Sequence, residues 1–360
     1  MYRSISIALA LAMGAGYAHA QSNVTVYGIV DAAVAHMTNA DAAGNAITKM
    51  PSLTGSLPSR IGFRGSEDLG DGLSAVFTLE SGYNPDTGTL GQGGRIFGRQ
   101  SWVGLRGKWG TLQLGRILNM TYLAVLRSDV LGPNLFSINS IDLYLPNARS
   151  DNAIGYYGNF NGLVVGGTYS FGRDGSAAGG PSATGCAGEV ANNAKACRQY
   201  TALLGYESKP YGATFSYDKL FGNTGAANGL TSSDKYDRRI TANGYYMFGA
   251  TKLGGGVIDR KTDAITGIVE SDLYYLGVSV PYDLWTVDAQ VARKNIRGSA
   301  DDTNMMVLRL TYNLSTRSAV YTGIGRMDNH GVAANALDAG GTVAPGKAQN
   351  GVMAGLRHVF

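Results

Sequence analysis

SRIGFRGSEDLGDGLSAVFTLESGYN, residues 59–84, reads as two alternating segments joined by a Gly-Asp-Gly turn at 70–72. In the first segment Ile61 and Phe63 share one parity while Arg60 and Arg64 take the other. Across the turn Ala75, Phe77 and Leu79 oppose Thr78 and Glu80. Successive side chains of a strand point to opposite faces, so this stretch predicts a hairpin with one apolar and one charged face.

The same rhythm extends in both directions. Upstream, NVTVYGIVDAAVAH (23–36) places Val24, Val26, Gly28, Val30, Ala32 and Val34 on one parity. Downstream, RQSWVGLRGKWGTLQLGRIL (99–118) gives two strands around a short turn at 108–110, with Val103 and Leu105 opposite Gln100, Gly104 and Arg106. Further pairs follow to the end of the chain, giving sixteen segments of roughly nine to fourteen residues, the length a tilted strand needs to cross a bilayer. Tight turns alternate strictly with long polar connections, as expected of a barrel with one end in the periplasm and the other outside the cell. A soluble sandwich has shorter strands and no such ordering. Tyr83, Tyr217, Tyr246, Tyr282 and Tyr312 fall near segment ends, where interfacial girdles form.

Composition narrows the class further. With 30 basic and 26 acidic side chains the chain is only slightly cationic, which argues against a nucleic-acid partner. Glycine at 52 without a collagen period marks bulges, close approaches and crowded interior faces in a β protein. The first twenty residues, MYRSISIALALAMGAGYAHA, have Arg3 in a basic n-region, a short apolar run and an Ala18-His19-Ala20 cleavage pattern. They predict a signal peptide over 1–20, with one pore domain over 21–360. No later apolar run reaches eighteen residues, so helical membrane spans are excluded.

Chemistry-bearing residues are sparse. Cys186 and Cys197 lie in a polar stretch of an exported chain and predict a disulfide; two cysteines without a nearby histidine complete no metal site. After the leader only His36, His330 and His358 remain, in separate segments, with no serine partner that would make a catalytic site. An enzyme and a cofactor are not implied.

The longest interval outside the alternation is 119–151. A connection of that length inside a sheet is usually functional, and it is expected to fold into the lumen. Arg60, Arg64 and Arg106 oppose the apolar side chains of their strands; a charge facing lipid at mid-depth costs about 2–4 kcal/mol, so they are expected to line water. Arg99 and Arg116 share the parity of lipid-facing neighbours but sit near a strand end or a glycine bulge, and are included in the same wall. Lys294 and Arg309 also have polar parity. Against this wall the long loop offers Asp129, Asp142 and Asp151, with Arg127 and Arg149 of its own. The expectation is a transverse field between basic wall and acidic loop that favours anions.

Together, the mature start SNVTVYGIVDAAV, the 59–84 hairpin, RQSWVGLRGKWGTLQLGR, the long loop and the terminal LRHVF resemble the trimeric general porins of Gram-negative bacteria. The similarity is to the β-proteobacterial branch typified by Neisseria, Bordetella and Burkholderia. It implies an all-β fold: a sixteen-stranded antiparallel transmembrane barrel in the outer membrane, narrowed by its third loop. It also implies a homotrimer in contact with the lipid bilayer and lipopolysaccharide, and Phe360 as the recognition signal for the barrel-assembly machinery. Where the family carries a Pro-Glu-Phe-Gly-like loop tip, this chain has Leu131-Gly132-Pro133-Asn134-Leu135-Phe136, without the glutamate. The expected function is passive diffusion of small hydrophilic solutes and ions with a moderate preference for anions. The rivals are a substrate-specific organic-anion channel and a surface adhesin or receptor acting through loops 173–198 and 330–350.

Overall fold

In the computed structural model, residues 23–360 are described except 54, 146–147 and 177–183. The predicted signal peptide lies outside the described residues. Among these, seventeen strands form one sheet: β1 (Asn23–Met37), β2 (Ile47–Lys49), β3 (Arg60–Gly70), β4 (Leu73–Gly82), β5 (Gln100–Gly107), β6 (Gly110–Leu118), β7 (Arg149–Phe160), β8 (Leu163–Ser170), β9 (Gln199–Glu207), β10 (Tyr211–Phe221), β11 (Tyr236–Phe248), β12 (Thr251–Ala264), β13 (Gly267–Tyr282), β14 (Trp285–Ile296), β15 (Thr303–Asn313), β16 (Ser318–Asn329) and β17 (Gln349–Val359).

From β3 to β17 each strand pairs antiparallel with the next, and β1 closes the ring. Its residues 29–37 pair with 351–359 of β17, while 23–29 pair with 60–66 of β3. That offset is the stagger that tilted strands need in order to close a barrel. The short β2 pairs with residues 35–37 of β1, above the end of β3, so sixteen strands form the wall. At the seam the Gly28 and Phe360 backbones exchange hydrogen bonds of 3.0 and 3.1 Å. The terminal ring occupies the space a Cβ on Gly28 would need.

Alternation sorts the wall into two faces. Along β10, Thr214, Ser216 and Asp218 are buried whereas Phe215 is 60% exposed; along β15, Val307 and Arg309 are buried whereas Met306 is 63% exposed. A barrel whose outward side chains are apolar and whose inward ones are polar has its solvents reversed relative to a soluble protein, as lipid requires. Aromatic side chains cluster at both ends of the strands. Trp285 stacks near Tyr312 (4.6 Å) and Tyr246 near Phe248 (4.5 Å) at the tight-turn end, and Tyr169 meets Phe171 (5.3 Å) at the long-loop end.

The strict alternation of short and long connections fails once. β12 and β13 are joined only by residues 265–266, and their ladder runs unbroken to Ala264 opposite Gly267. The charges that suggest a polar loop there are cross-strand ion pairs, including Lys261 to Glu270 at 2.8 Å. They hold the tip of this hairpin as strand.

Candidate functional site

The interval between β6 and β7 covers residues 119–148. Asn119 opens it by accepting a hydrogen bond on Oδ1 from the Tyr122 N–H at 3.2 Å, which caps the short helix Met120–Leu126. Met120 and Ala124 of this helix pack on Val164 and Leu203 of β8 and β9. Beyond it the chain follows the inner face of the wall strand by strand. Thr214 of β10 donates to the Ala124 carbonyl (2.9 Å), the Ser128 hydroxyl meets Tyr275 of β13 (2.6 Å), Gln290 of β14 donates to Asp129 (2.8 Å), and Arg309 of β15 donates to the Leu131 carbonyl (3.1 Å).

Glycines make this close approach possible. A Cβ on Gly254 of β12 would lie 2.2 Å from the Ser128 carbonyl oxygen, and one on Gly351 of β17 would lie 2.5 Å from the Phe136 ring. Phe136 itself is fully buried with a left-handed φ of 52°. The tip that lacks the expected glutamate is therefore fixed by an aromatic plug in a glycine slot, and no charge is needed there.

The loop carboxylates face the wall behind the loop. Asp142 receives two hydrogen bonds from Arg239 of β11, at 2.9 and 3.0 Å. Burial pushes the Asp142 carboxyl up, but Arg239, with Arg260 behind it, outweighs that and holds it well below the usual carboxylate range. Among the described residues Asp129 has no such cation in contact; burial raises its carboxyl above the ordinary value, against hydrogen bonds from Gln290 and the backbone of the tip. Asp151 is not part of the loop. It belongs to β7 and forms a rim network with Arg116 and Arg95, the latter at 3.1 Å. Arg127 turns the other way, reaching Glu207 at 3.5 Å beside a tight turn. Asp142 and Asp129 thus face β11 and β14, and of the three carboxylates Asp151 meets one of the wall arginines, Arg116. A carboxylate pressed against a wall needs a donor there, and Asp142 and Asp129 take theirs from β11 and β14.

The arginines divide as well. Arg60 and Arg99 converge on Glu80 of β4, with Nε at 3.5 Å from one carboxylate oxygen and 2.7 Å from the other. The Tyr27 hydroxyl also donates to Glu80 (3.0 Å). Arg149 joins them, donating from Nε to the Arg99 carbonyl (2.8 Å), with its guanidinium 5.8 Å from the centre of the Tyr122 ring on the loop helix. Arg64 lies further down β3, over Tyr27 at 5.2 Å, and Arg106 stands beside the turn that ends β5. Neither reaches Glu80. Arg116 is drawn into the rim by a bulge at Gly115, where φ is 133° and the β6–β7 register shifts.

Sequence reasoning missed Glu80 as a hub, Arg149 as wall and Arg239 as the loop's anchor. Glu80 was readable, because it has the polar parity of its hairpin and nearly faces Arg60 across it. Arg239 was hidden beside Arg238, a doublet that puts one arginine on each face.

Cys186 and Cys197 are joined by a disulfide with Cα atoms 5.2 Å apart. The 330–348 connection bends inward: Leu337 is fully buried, and its carbonyl accepts from Phe136 N–H and from the Ser140 hydroxyl. A loop packed on another loop inside the barrel is poorly placed to serve as an adhesive surface. Among the described residues no helix is long and apolar enough to cross a membrane.

Comparison with known proteins agrees with this architecture. Residues 7–332 match the family model described as Gram-negative porin. Outer membrane porin protein 32 of Delftia acidovorans is 33% identical over 365 residues, covering 95% of this chain and 95% of that protein. An outer membrane porin protein of Bordetella pertussis is 29% identical, covering 84% of this chain and 88% of its own length. Among solved structures, an anion-selective porin from Comamonas acidovorans superposes with a TM-score of 0.76 at 28% identity, covering 94% of this chain and all of that one. A closed sixteen-stranded barrel, an inward-packed third loop and a family match over most of its length make this chain a member of the Gram-negative porin family, an outer-membrane channel protein and not an enzyme.

Proposed function

We propose that the channel prefers anions, and that its narrow section lies between the Arg60, Arg99 and Arg149 wall and the Tyr122 face of the third loop. The observation that carries this reading is the imbalance at that wall. Two guanidinium groups, of Arg60 and Arg99, share one carboxylate, Glu80, while Asp142 and Asp129 are turned to the opposite side. Guanidinium stays charged at any working pH and is weakly hydrated, so a partly dehydrated anion is exchanged there at low cost. The description of the Comamonas relative as anion-selective supports the same sign.

Trimer formation, contact with lipopolysaccharide and recognition of Phe360 by the assembly machinery belong to the same proposal and rest on family membership. A salt gradient across a planar bilayer containing the purified protein tests selectivity. The zero-current potential should take the sign of an anion-preferring pore, and a cation-preferring sign removes the proposal.

A further inference from the structure

On the long-loop side of the narrow section the lumen holds a second group of cations, which the selectivity reading does not use. Arg239 of β11, Arg260 of β12 and Lys294 of β14 line a cavity of about 160 Å³. Its floor is the Asp142 and Tyr144 segment of the third loop, its side is Leu220, Leu230 and the disulfide, and Asn228 and Asn335 stand at its edge.

The charges do not balance. Arg239 lies between Asp142 (2.9 Å) and Asp237 (3.2 Å), and Arg260 shares Asp237 at 2.7 Å. Lys294 is half-buried and makes no hydrogen bond or ion pair among the described residues. Three cations therefore face two carboxylates in a space that is largely enclosed. An ammonium withdrawn from bulk water without a counter-charge is a standing demand for an anion. The cavity also offers something a bare inorganic ion cannot use, an aliphatic wall beside two carboxamides.

We propose that this cavity is an off-axis binding site for small carboxylate-bearing solutes. Lys294 and the outer edge of Arg260 take the carboxylate, Leu220 and Leu230 receive a short carbon chain, and Asn228 or Asn335 meets a hydroxyl. The proposal rests on the channel reading, but not on the Glu80 arginines. A solute held beside the path, and not across it, narrows the path and cancels part of its positive charge without closing it, so current falls to a non-zero plateau as the site fills.

The test is conductance of the reconstituted wild-type protein with 3-hydroxybutyrate added on the long-loop side, against inorganic phosphate at equal charge. The expected result is a saturable reduction of current by 3-hydroxybutyrate, with the half-saturating concentration raised about tenfold in Lys294→Met and restored in Lys294→Arg. An unchanged block in Lys294→Met overturns the site, and so does equal block by phosphate, which would show an unspecific anion trap. A wild-type pore that prefers chloride in a salt gradient yet shows no saturable block overturns the site and leaves the selectivity reading standing. Saturable block without chloride preference does the reverse.

Discussion

The two sides of the barrel interior solve the problem of buried charge in opposite ways. Along β8 to β17 the third loop lies against the wall, and the arginines that hold it there each have a carboxylate: Arg239 has Asp142 and Asp237, and Arg309 has Asp288 at 2.9 Å, while the excess charge on this side is confined to Lys294 in the cavity behind the loop. Beside β3 and β4 one carboxylate, Glu80, is shared between Arg60 and Arg99, whereas nearer the rim Arg116 has Asp151. The matched side is a joint that holds the loop in place. The unmatched side keeps its excess charge for whatever passes. Arginine content alone does not distinguish them; the position of the carboxylates does.

The comparison breaks most readily at the joint. Asp142→Ala leaves Arg239 with Asp237 only, and loss of one partner of a buried pair costs about 3–5 kcal/mol. The lower end is expected because Asp237 remains. Urea unfolding in detergent micelles measures the loss, and larger, noisier single-channel currents should report the freed loop. Removing the disulfide with Cys186→Ser/Cys197→Ser relaxes the cover over the same side and should cost roughly 2–3 kcal/mol, read from thermal unfolding with and without reductant on the wild type. Gly254→Val places a side chain where the Ser128 carbonyl lies. Overpacking of this kind costs about 1–3 kcal/mol, and conductance should change together with stability.

Acid sharpens the contrast within the joint. The folded value of Asp142 lies below its ordinary 3.8, so its stabilisation is fully present above that pH and is lost as pH falls through the depressed value. Asp129 has the opposite sign: its folded value is raised, so its ionisation works against the folded state as pH climbs past the ordinary 3.8. Asp142→Asn should therefore destabilise at neutral pH with a difference that vanishes in strong acid, whereas Asp129→Asn should be neutral or stabilising at pH 7. Urea midpoints at several pH values separate the two.

How much of this was legible in the sequence follows from what each signal depends on. Period-two alternation is a property of a strand alone, so Arg60 could be set opposite Ile61 and Phe63 from the sequence, and the barrel followed from repetition. Parity alone sets Arg116 on the lipid face, and it was assigned to the wall only through the neighbouring glycine; the Gly115 bulge shifts register there, and a one-residue shift exchanges the faces. The β12–β13 tip was misread because Lys261 and Glu270 have loop composition but strand pairing. The direction of the loop carboxylates was not legible, since a loop has no parity and its side chains turn to whichever donor the distant strands present. Arg239 is 97 residues from Asp142 in the chain.

The central claim is that selectivity resides in the unmatched cluster and not in arginine spread over the whole lumen. Zero-current potentials of Arg60→Ala/Arg99→Ala and of Arg64→Ala/Arg106→Ala, measured in the same salt gradient as the wild type, test it most directly. The first pair should move the potential most of the way toward a non-selective pore, and the second only slightly. Equal shifts, or a larger shift from Arg64 and Arg106, would contradict it.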